Sequence, residues 1–252
     1  TEVLLHGYEQ WGVDLLQRVR GMFTFVIWDK NKQELFGARD HFGIKPFYYA
    51  KMNGTFMYAS EIKSLLRHPD FVKELNAEAL KPYMTFQYPA IGETFFKGVY
   101  KLPEGHYFTY RDGKMDIHRY YDEDFREGKQ KLGELVNSID QTVCDSVKAH
   151  QIADVEVGSF LSSGVDSSYV AAVARPQHTY SIGFGKGTYN ESQQAGELAE
   201  LLKLNNTAES LTDEEAFAAF PRIQWHLDEP DSNPSCVPLY FLSALAAKDV
   251  RS

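Results

Sequence analysis

Only two cysteines, Cys144 and Cys236, occur in the 252 residues, so no disulfide framework holds this chain together. That usage fits a reducing compartment, the cytoplasm, with each cysteine packed as a small apolar residue inside a helix. Cationic excess is missing too: 26 Lys and Arg face 35 Asp and Glu, a net charge of −9. A nucleic-acid partner requires a clustered basic surface, and this balance argues against one. No apolar run is long enough to cross a membrane, no signal-peptide pattern is present, and the 8 histidines are scattered without metal-ligand spacing. Two phosphate-binding signatures are absent as well. No G-x-x-x-x-G-K-[ST] string occurs, and no G-x-G-x-x-G follows an expected strand.

What is present divides the chain in two. Residues 1–20 read as one or two short helices with Leu4, Leu5, Tyr8, Leu15, Leu16 and Val19 inward. A strand-rich run follows. MFTFVIWD and ELFGARD form a hairpin across Asn31, KPFYYAK and TFMYAS flank Asn53-Gly54, and GHYFTYR and KMDIHRYY flank Asp112-Gly113. Asn-Gly and Asp-Gly supply the two positive φ angles of a type I′ turn. SEIKSLLRH and NAEALKPYMTF read as helices, so the first ~120 residues form an α+β layer domain. DEDFREGKQK, charged and aperiodic, is the linker candidate. Beyond it, Leu132, Leu135, Ile139, Val143 and Val147 recur at helical spacing. Then come a strand VEVGSFLS, a helix SYVAAVA, a strand HTYSIGF and a helix ESQQAGELAELLK. Thr212 and Glu215 form a capping-box pattern opening DEEAFAAF ahead of Pro221. Strand–helix alternation predicts a parallel α/β sheet.

The chemistry concentrates in Ser162-Ser163-Gly164-Val165-Asp166-Ser167-Ser168, between the end of a strand and the start of a helix. The free N–H groups of a first helical turn, with the helix dipole, attract anions. Gly164 admits a close backbone approach, and Ser162, Ser167 and Ser168 add hydroxyls. Asp166 would repel a bare phosphate, which points to Mg²⁺ between carboxylate and phosphate. One cap residue would suffice to start a helix; here six of the seven positions are Ser, Gly or Asp.

The loop resembles the S-G-G-x-D-S loop of the ATP pyrophosphatases. Further strings, RGMFTFVIWD, ARDHFGIKPFYYA, YASEIKSLLRHP, the F-x-G-x-x-K-L-P-x-G-H run from Phe96 to His106, FLSSGVDSS, YSIGF, YNES and HLDEPDSNPSCVPLY, resemble the glutamine-hydrolysing asparagine synthetases. The resemblance implies part of an α+β N-terminal-nucleophile domain, an αββα sandwich, over residues 1–122. It implies part of an α/β parallel-sheet ATP-pyrophosphatase domain, adenine nucleotide α-hydrolase-like, over residues 123–252. It assigns Ser162, Ser163, Gly164, Asp166, Ser167 and Ser168 to the pyrophosphate of ATP, Leu161 and Ile182 to the border of the adenosine, and Asp166 to Mg²⁺. Ser163 departs from the family pattern by standing where a glycine is usual.

The implied reaction forms asparagine from aspartate and glutamine-derived ammonia through a β-aspartyl-AMP, in a cytoplasmic protein whose partners are small molecules and which allows a homodimer. Two alternatives stay open at this stage: amidation of another carboxylate on the same fold, and a non-catalytic nucleotide-binding remnant. The family's N-terminal cysteine nucleophile has no counterpart here, so no catalytic residue is expected in the chain and Thr1 reads as a helix start. The second acidic loop of the family, S-G-x-G-[AS]-D-E, falls beyond Ser252, and the chain reads as a segment of something longer. Arg39 and Asp40 read as a buried pair bracing a turn at Gly43. Asp228, Glu229 and Glu191 read equally as substrate-orienting groups or as ordinary helix-end residues.

Overall fold

The computed structural model describes residues 1–88, 90–184 and 191–250. Two compact units emerge: Thr1–Arg126 with Asp228–Ser232, and Glu127–Leu227 with Asn233–Ser252.

In the first unit, helix α1 (Glu2–Trp11) runs into a 3₁₀ turn (Gly12–Gln17) and then the strands begin. One antiparallel sheet orders β1 (Thr24–Asp29), β2 (Glu34–Arg39), β6 (His106–Arg111) and β7 (Lys114–Arg119) side by side. A second places β3 (Tyr48–Met52) between β4 (Thr55–Ala59) and β5 (Val99–Lys101). The hairpin expectations hold: Asp29 pairs with Glu34, and the Asn53-Gly54 and Asp112-Gly113 turns all have positive φ, between 51° and 84°. The expected helices contract to α2 (Ile62–Leu65), a 3₁₀ turn and α3 (Leu80–Phe86).

Period-two alternation divides each strand between two cores. Phe25, Ile27, Phe36 and Ala38 face Tyr8 and Leu16 on the helical side. Val26, Leu35, Phe108 and Tyr110 face Phe47 and, from the other sheet, Tyr49 and Phe56, with Phe56 stacked on Tyr110 at 4.2 Å between ring centroids. Ala50, Met57 and Val99 then cover α2 through Ile62 and Leu65. The order is helix, sheet, sheet, helix. Gly37 leaves room for the ring of its cross-strand neighbour Phe108, since a Cβ there would lie 2.3 Å from Phe108 Cε1. Leu5, expected inward, is 47% exposed.

The second unit opens with α4 (Leu132–His150) and holds a parallel sheet ordered β10 (Asn205–Leu211), β9 (His178–Phe184), β8 (Ser159–Phe160). Between the strands lie α5 (Val165–Ala174) and α6 (Glu191–Leu202), and after β10 come α7 (Asp213–Leu227) and α8 (Cys236–Ala246). Ala171 of α5 and Ala195 and Ala199 of α6 pack with Leu161, while Leu245 and Ala246 of α8 pack with Tyr180. Helices α4 through Val147 and α7 through Ile223 are each covered along a narrow stripe.

Four expectations change here. The strand expected over 155–162 shortens to two residues, because its partner β9 begins at His178 and the register leaves Val155 and Val157 opposite residues that precede it. Strand β10 was missed; its NNTAESL sequence has no apolar alternation, and Leu211 is its one buried residue. Helix α7 passes through Pro221 instead of ending before it. Phe217, four residues back, is 79% exposed, so the carbonyl that loses its helical partner faces water. Leu132, Leu135 and Ile139 of α4 are exposed. The capping box at α7 is as expected: Glu215 N–H donates to Thr212 Oγ1 at 3.2 Å, and Thr212 N–H to Glu215 Oε2 at 2.9 Å.

Candidate nucleotide loop

Strand β8 carries the chain to Leu161 at the carboxyl edge of the parallel sheet, the edge at which open α/β sheets take their ligands. Leu161 N–H donates to Tyr180 O at 2.8 Å and the loop departs from that rung. Serine hydroxyls then fold it back on itself. Ser162 Oγ lies 2.7 Å from Ser167 Oγ, Gly164 N–H donates to Ser162 Oγ at 3.2 Å, and Ser168 Oγ donates to Gly164 O at 2.6 Å. Gly164 is the N-cap of α5 at φ −70°, so its value is room and not a left-handed turn. A Cβ there would crowd Ser162 Oγ at 3.3 Å.

The first turn of α5 stays open. No side chain caps it, and Ser168 N–H to Gly164 O, at 3.1 Å, is its first closed rung. The N–H groups of Val165, Asp166 and Ser167 therefore have no helical acceptor. Ser163, Gly164, Val165 and Asp166 are exposed. Backbone donors left open in this way are able to cradle an anion, with the helix dipole adding to the attraction. Asp166 brings one carboxylate to it, and the described residues hold no group of three metal-ligating side chains. Such an arrangement suits Mg²⁺, which commonly takes one or two protein carboxylates and completes its shell with phosphate oxygens and water.

The other site residues separate. Leu161 is 3% exposed, with its side chain among Ala171, Ala195 and Ala199, whereas Ile182 packs beside Tyr180, Leu245 and Ala246. Their side chains enter different cores. Thr1 sits at the N-cap of α1, its carbonyl accepting the N–H of Leu4 at 3.0 Å. Tyr189 and Asn190 lie outside the described residues, as does the side chain of Glu191.

Asp228 and Glu229 belong to the first unit. Asp228, at φ 63° just past α7, accepts Ile62 N–H at 2.7 Å and pairs with Lys63 at 3.0 Å. Glu229 accepts Phe95 N–H at 3.1 Å and pairs with Lys101 at 2.6 Å. Both carboxylates are 7% exposed. Burial, then the charges of Glu229 and Asp228, push the Tyr48 hydroxyl up to about 12.

Arg39 and Asp40 do brace the turn at Gly43, through the backbone and not as an ion pair. Arg39 donates to the carbonyls of Lys45, Leu102 and Gly43 at 2.8, 2.7 and 2.7 Å. Asp40 accepts the N–H groups of Phe42, Ile44 and Lys45. Burial pushes its carboxyl up, but those N–H groups outweigh it and hold Asp40 below the usual carboxylate value. What the sequence reading missed is a polar layer under the loop, formed by Thr179, Ser181 and Asn206. Its signal was a threonine and a serine alternating through the apolar strand HTYSIGF.

Comparison with known proteins adds the following. A glutamine amidotransferase domain family matches residues 1–121, and an asparagine synthase family matches residues 138–252. Asparagine synthetase [glutamine-hydrolyzing] 1 of Bacillus subtilis is 39% identical over 255 residues, covering 99% of this chain and 40% of that protein. A putative asparagine synthetase of Mycobacterium tuberculosis (strain H37Rv) is 38% identical, with 99% and 40% covered. One from Methanocaldococcus jannaschii is 30% identical, with 99% and 50% covered. The chain thus spans 40–50% of the length of these curated relatives. Among solved structures, a glutamine-dependent NAD+ synthetase from Acinetobacter baumannii is similar at 12% identity and a TM-score of 0.33, covering 98% of this chain and 63% of that one, a likeness too low to bear on the fold.

Proposed function

The chain belongs to the glutamine-hydrolysing asparagine synthetases, and from that premise we propose that it forms part of an ATP-dependent amide ligase, with its nucleotide site at Ser162–Ser168. The open first turn of α5, cradled by Ser162, Ser167 and Gly164, is the observation that carries the reading. On this reading the N–H groups of that turn and the hydroxyls of Ser162, Ser163, Ser167 and Ser168 hold the pyrophosphate of ATP. Leu161 and Ile182 border the adenosine. Asp166 is the residue that would hold Mg²⁺, which when bound would supply charge neutralisation at the pyrophosphate.

The chemical work of the loop is positioning. It holds the β- and γ-phosphates still while the β-carboxylate of aspartate attacks the α-phosphorus and pyrophosphate leaves, giving β-aspartyl-AMP. Ammonia from glutamine then displaces AMP and asparagine forms. The first unit is the amidotransferase side of this pairing, its helix–sheet–sheet–helix order agreeing with an N-terminal-nucleophile fold. On this reading residues 1–122 form that part and residues 123–252 the synthetase part. Among the described residues no helix is long and apolar enough to cross a membrane.

Calorimetric titration with MgATP tests the site. Saturable binding competed by pyrophosphate is expected, weakened about tenfold or more in Ser162→Ala/Ser167→Ala, where charge-bearing hydrogen bonds are lost. Equal binding by that variant, or no binding by the unaltered protein, overturns the reading.

A further inference from the structure

Leu161 C=O and Ser162 N–H belong to one planar peptide unit, so fixing one end aims the other. The carbonyl end is held from beneath: Ser181 Oγ donates to Leu161 O at 2.8 Å, and the bond is buried. The N–H end is held from above, donating to Ser167 Oγ at 3.3 Å. Ser162 in turn receives Gly164 N–H on its hydroxyl. A rotation of this one plane would therefore carry Ser162 Oγ, Gly164 and the mouth of α5 with it.

Ser181 has a single proton and two acceptors within reach, Leu161 O at 2.8 Å and Asn206 Oδ1 at 3.1 Å. Leu161 O is the nearer of the two. Thr179 Oγ1 reaches Asn206 Oδ1 and Asn205 O, both at 3.0 Å, and the two lone pairs of Asn206 Oδ1 can serve Thr179 and Ser181 together. Thr179 is 0% and Ser181 1% exposed, so water cannot substitute for either donor. A buried carbonyl left without a partner carries the full cost of its desolvation, which makes the plane's orientation depend on this hydroxyl.

We propose that Ser181 is a positioning residue for the nucleotide loop, pinning the Leu161–Ser162 peptide plane. The proposal rests on the nucleotide reading of the loop. It accounts for a buried serine and threonine in a strand whose other face packs apolar side chains against α8.

Two measurements on the same variants test it. In nucleotide-free protein, amide hydrogen exchange by NMR should speed about tenfold at Ser162 and Gly164 in Ser181→Ala. Exchange at Ala195 and Ala199 in α6 should stay as in the unaltered protein. Calorimetry should show MgATP binding weakened about fivefold in Ser181→Ala. Thr179→Val, which leaves the Ser181–Leu161 hydrogen bond in place, should bind MgATP as the unaltered protein does. A merely structural loss would instead appear in both variants.

Unchanged exchange at Ser162 and Gly164 overturns the pinning. Faster exchange with MgATP affinity equal to that of the unaltered protein overturns the positioning role. Faster exchange in a protein whose unaltered form binds no MgATP overturns the nucleotide reading and leaves the pinned plane standing.

Discussion

Two short loops of this molecule each place an aspartate beside a glycine at the end of a strand, and they are built to opposite ends. At Arg39–Lys45 the Asp40 carboxylate is 1% exposed and accepts three local N–H groups, while Arg39 takes three carbonyls. At Ser162–Ser168 the Asp166 side chain is exposed and the first-turn N–H groups of α5 have no helical acceptor. The first loop uses its polar groups to hold its own shape. The second keeps backbone donors open, which is what an anion site needs and what a structural turn avoids. Satisfaction of the backbone, and not residue type, separates the two.

The largest effect that would sharpen this contrast is at Asp40. Asp40→Ala strips three part-buried N–H groups of their acceptor and should lower stability by about 3 kcal/mol in urea unfolding. A loss under ~1 kcal/mol would show the turn to be no more dependent on its carboxylate than an exposed one. Next is Gly43→Ala, expected to cost about 2 kcal/mol. The position has φ 63°, and a Cβ would lie 3.0 Å from the Arg39 guanidinium carbon. Gly164→Ala, at φ −70°, should cost less than about 1 kcal/mol, its damage falling on MgATP affinity instead.

Acid should find the same divide. Because Asp40 is held below its ordinary value of 3.8, the stability it contributes is whole above that pH and is lost as pH falls through its lower folded value. Acid unfolding followed by circular dichroism should flatten below pH ~4 in Asp40→Asn; an unaltered acid limb would remove Asp40 as its source. The smallest expected change is Asp166→Ala, about 0.5 kcal/mol or less in stability, accompanied by a clear loss of MgATP binding. A large drop in melting temperature in that variant would place Asp166 with Asp40 as a structural group and break the comparison.

How legible each feature was follows from how local its cause is. The Asn53-Gly54 and Asp112-Gly113 hairpins and the Thr212–Glu215 capping box depend on residues within a few positions of one another, and each formed as read. Strand β10 was hidden because its polar residues lie on an exposed edge, so membership of the sheet came from pairing with β9 and not from an apolar face. Pro221 misled for the reverse reason: its local veto on the helix was overridden where Phe217 faces solvent. At the loop, the run of serines around Gly164 was visible in one dimension. The layer of Thr179, Ser181 and Asn206 was not, since these residues meet only when β8, β9 and β10 align. Asp228 and Glu229 show the same limit, their partners Ile62 and Phe95 lying more than 130 residues away in the chain.

By itself, then, the sequence determined the two kinds of fold, the turns, and the place of the open loop, because short-range geometry and residue pattern suffice for these. Tertiary structure alone decided which carboxylates are held in buried pairs, which strand closes each sheet, and which hydroxyl lies under the Leu161 carbonyl. Those outcomes depend on groups distant in the chain competing for the same buried hydrogen bonds, and that competition is settled only when the elements pack.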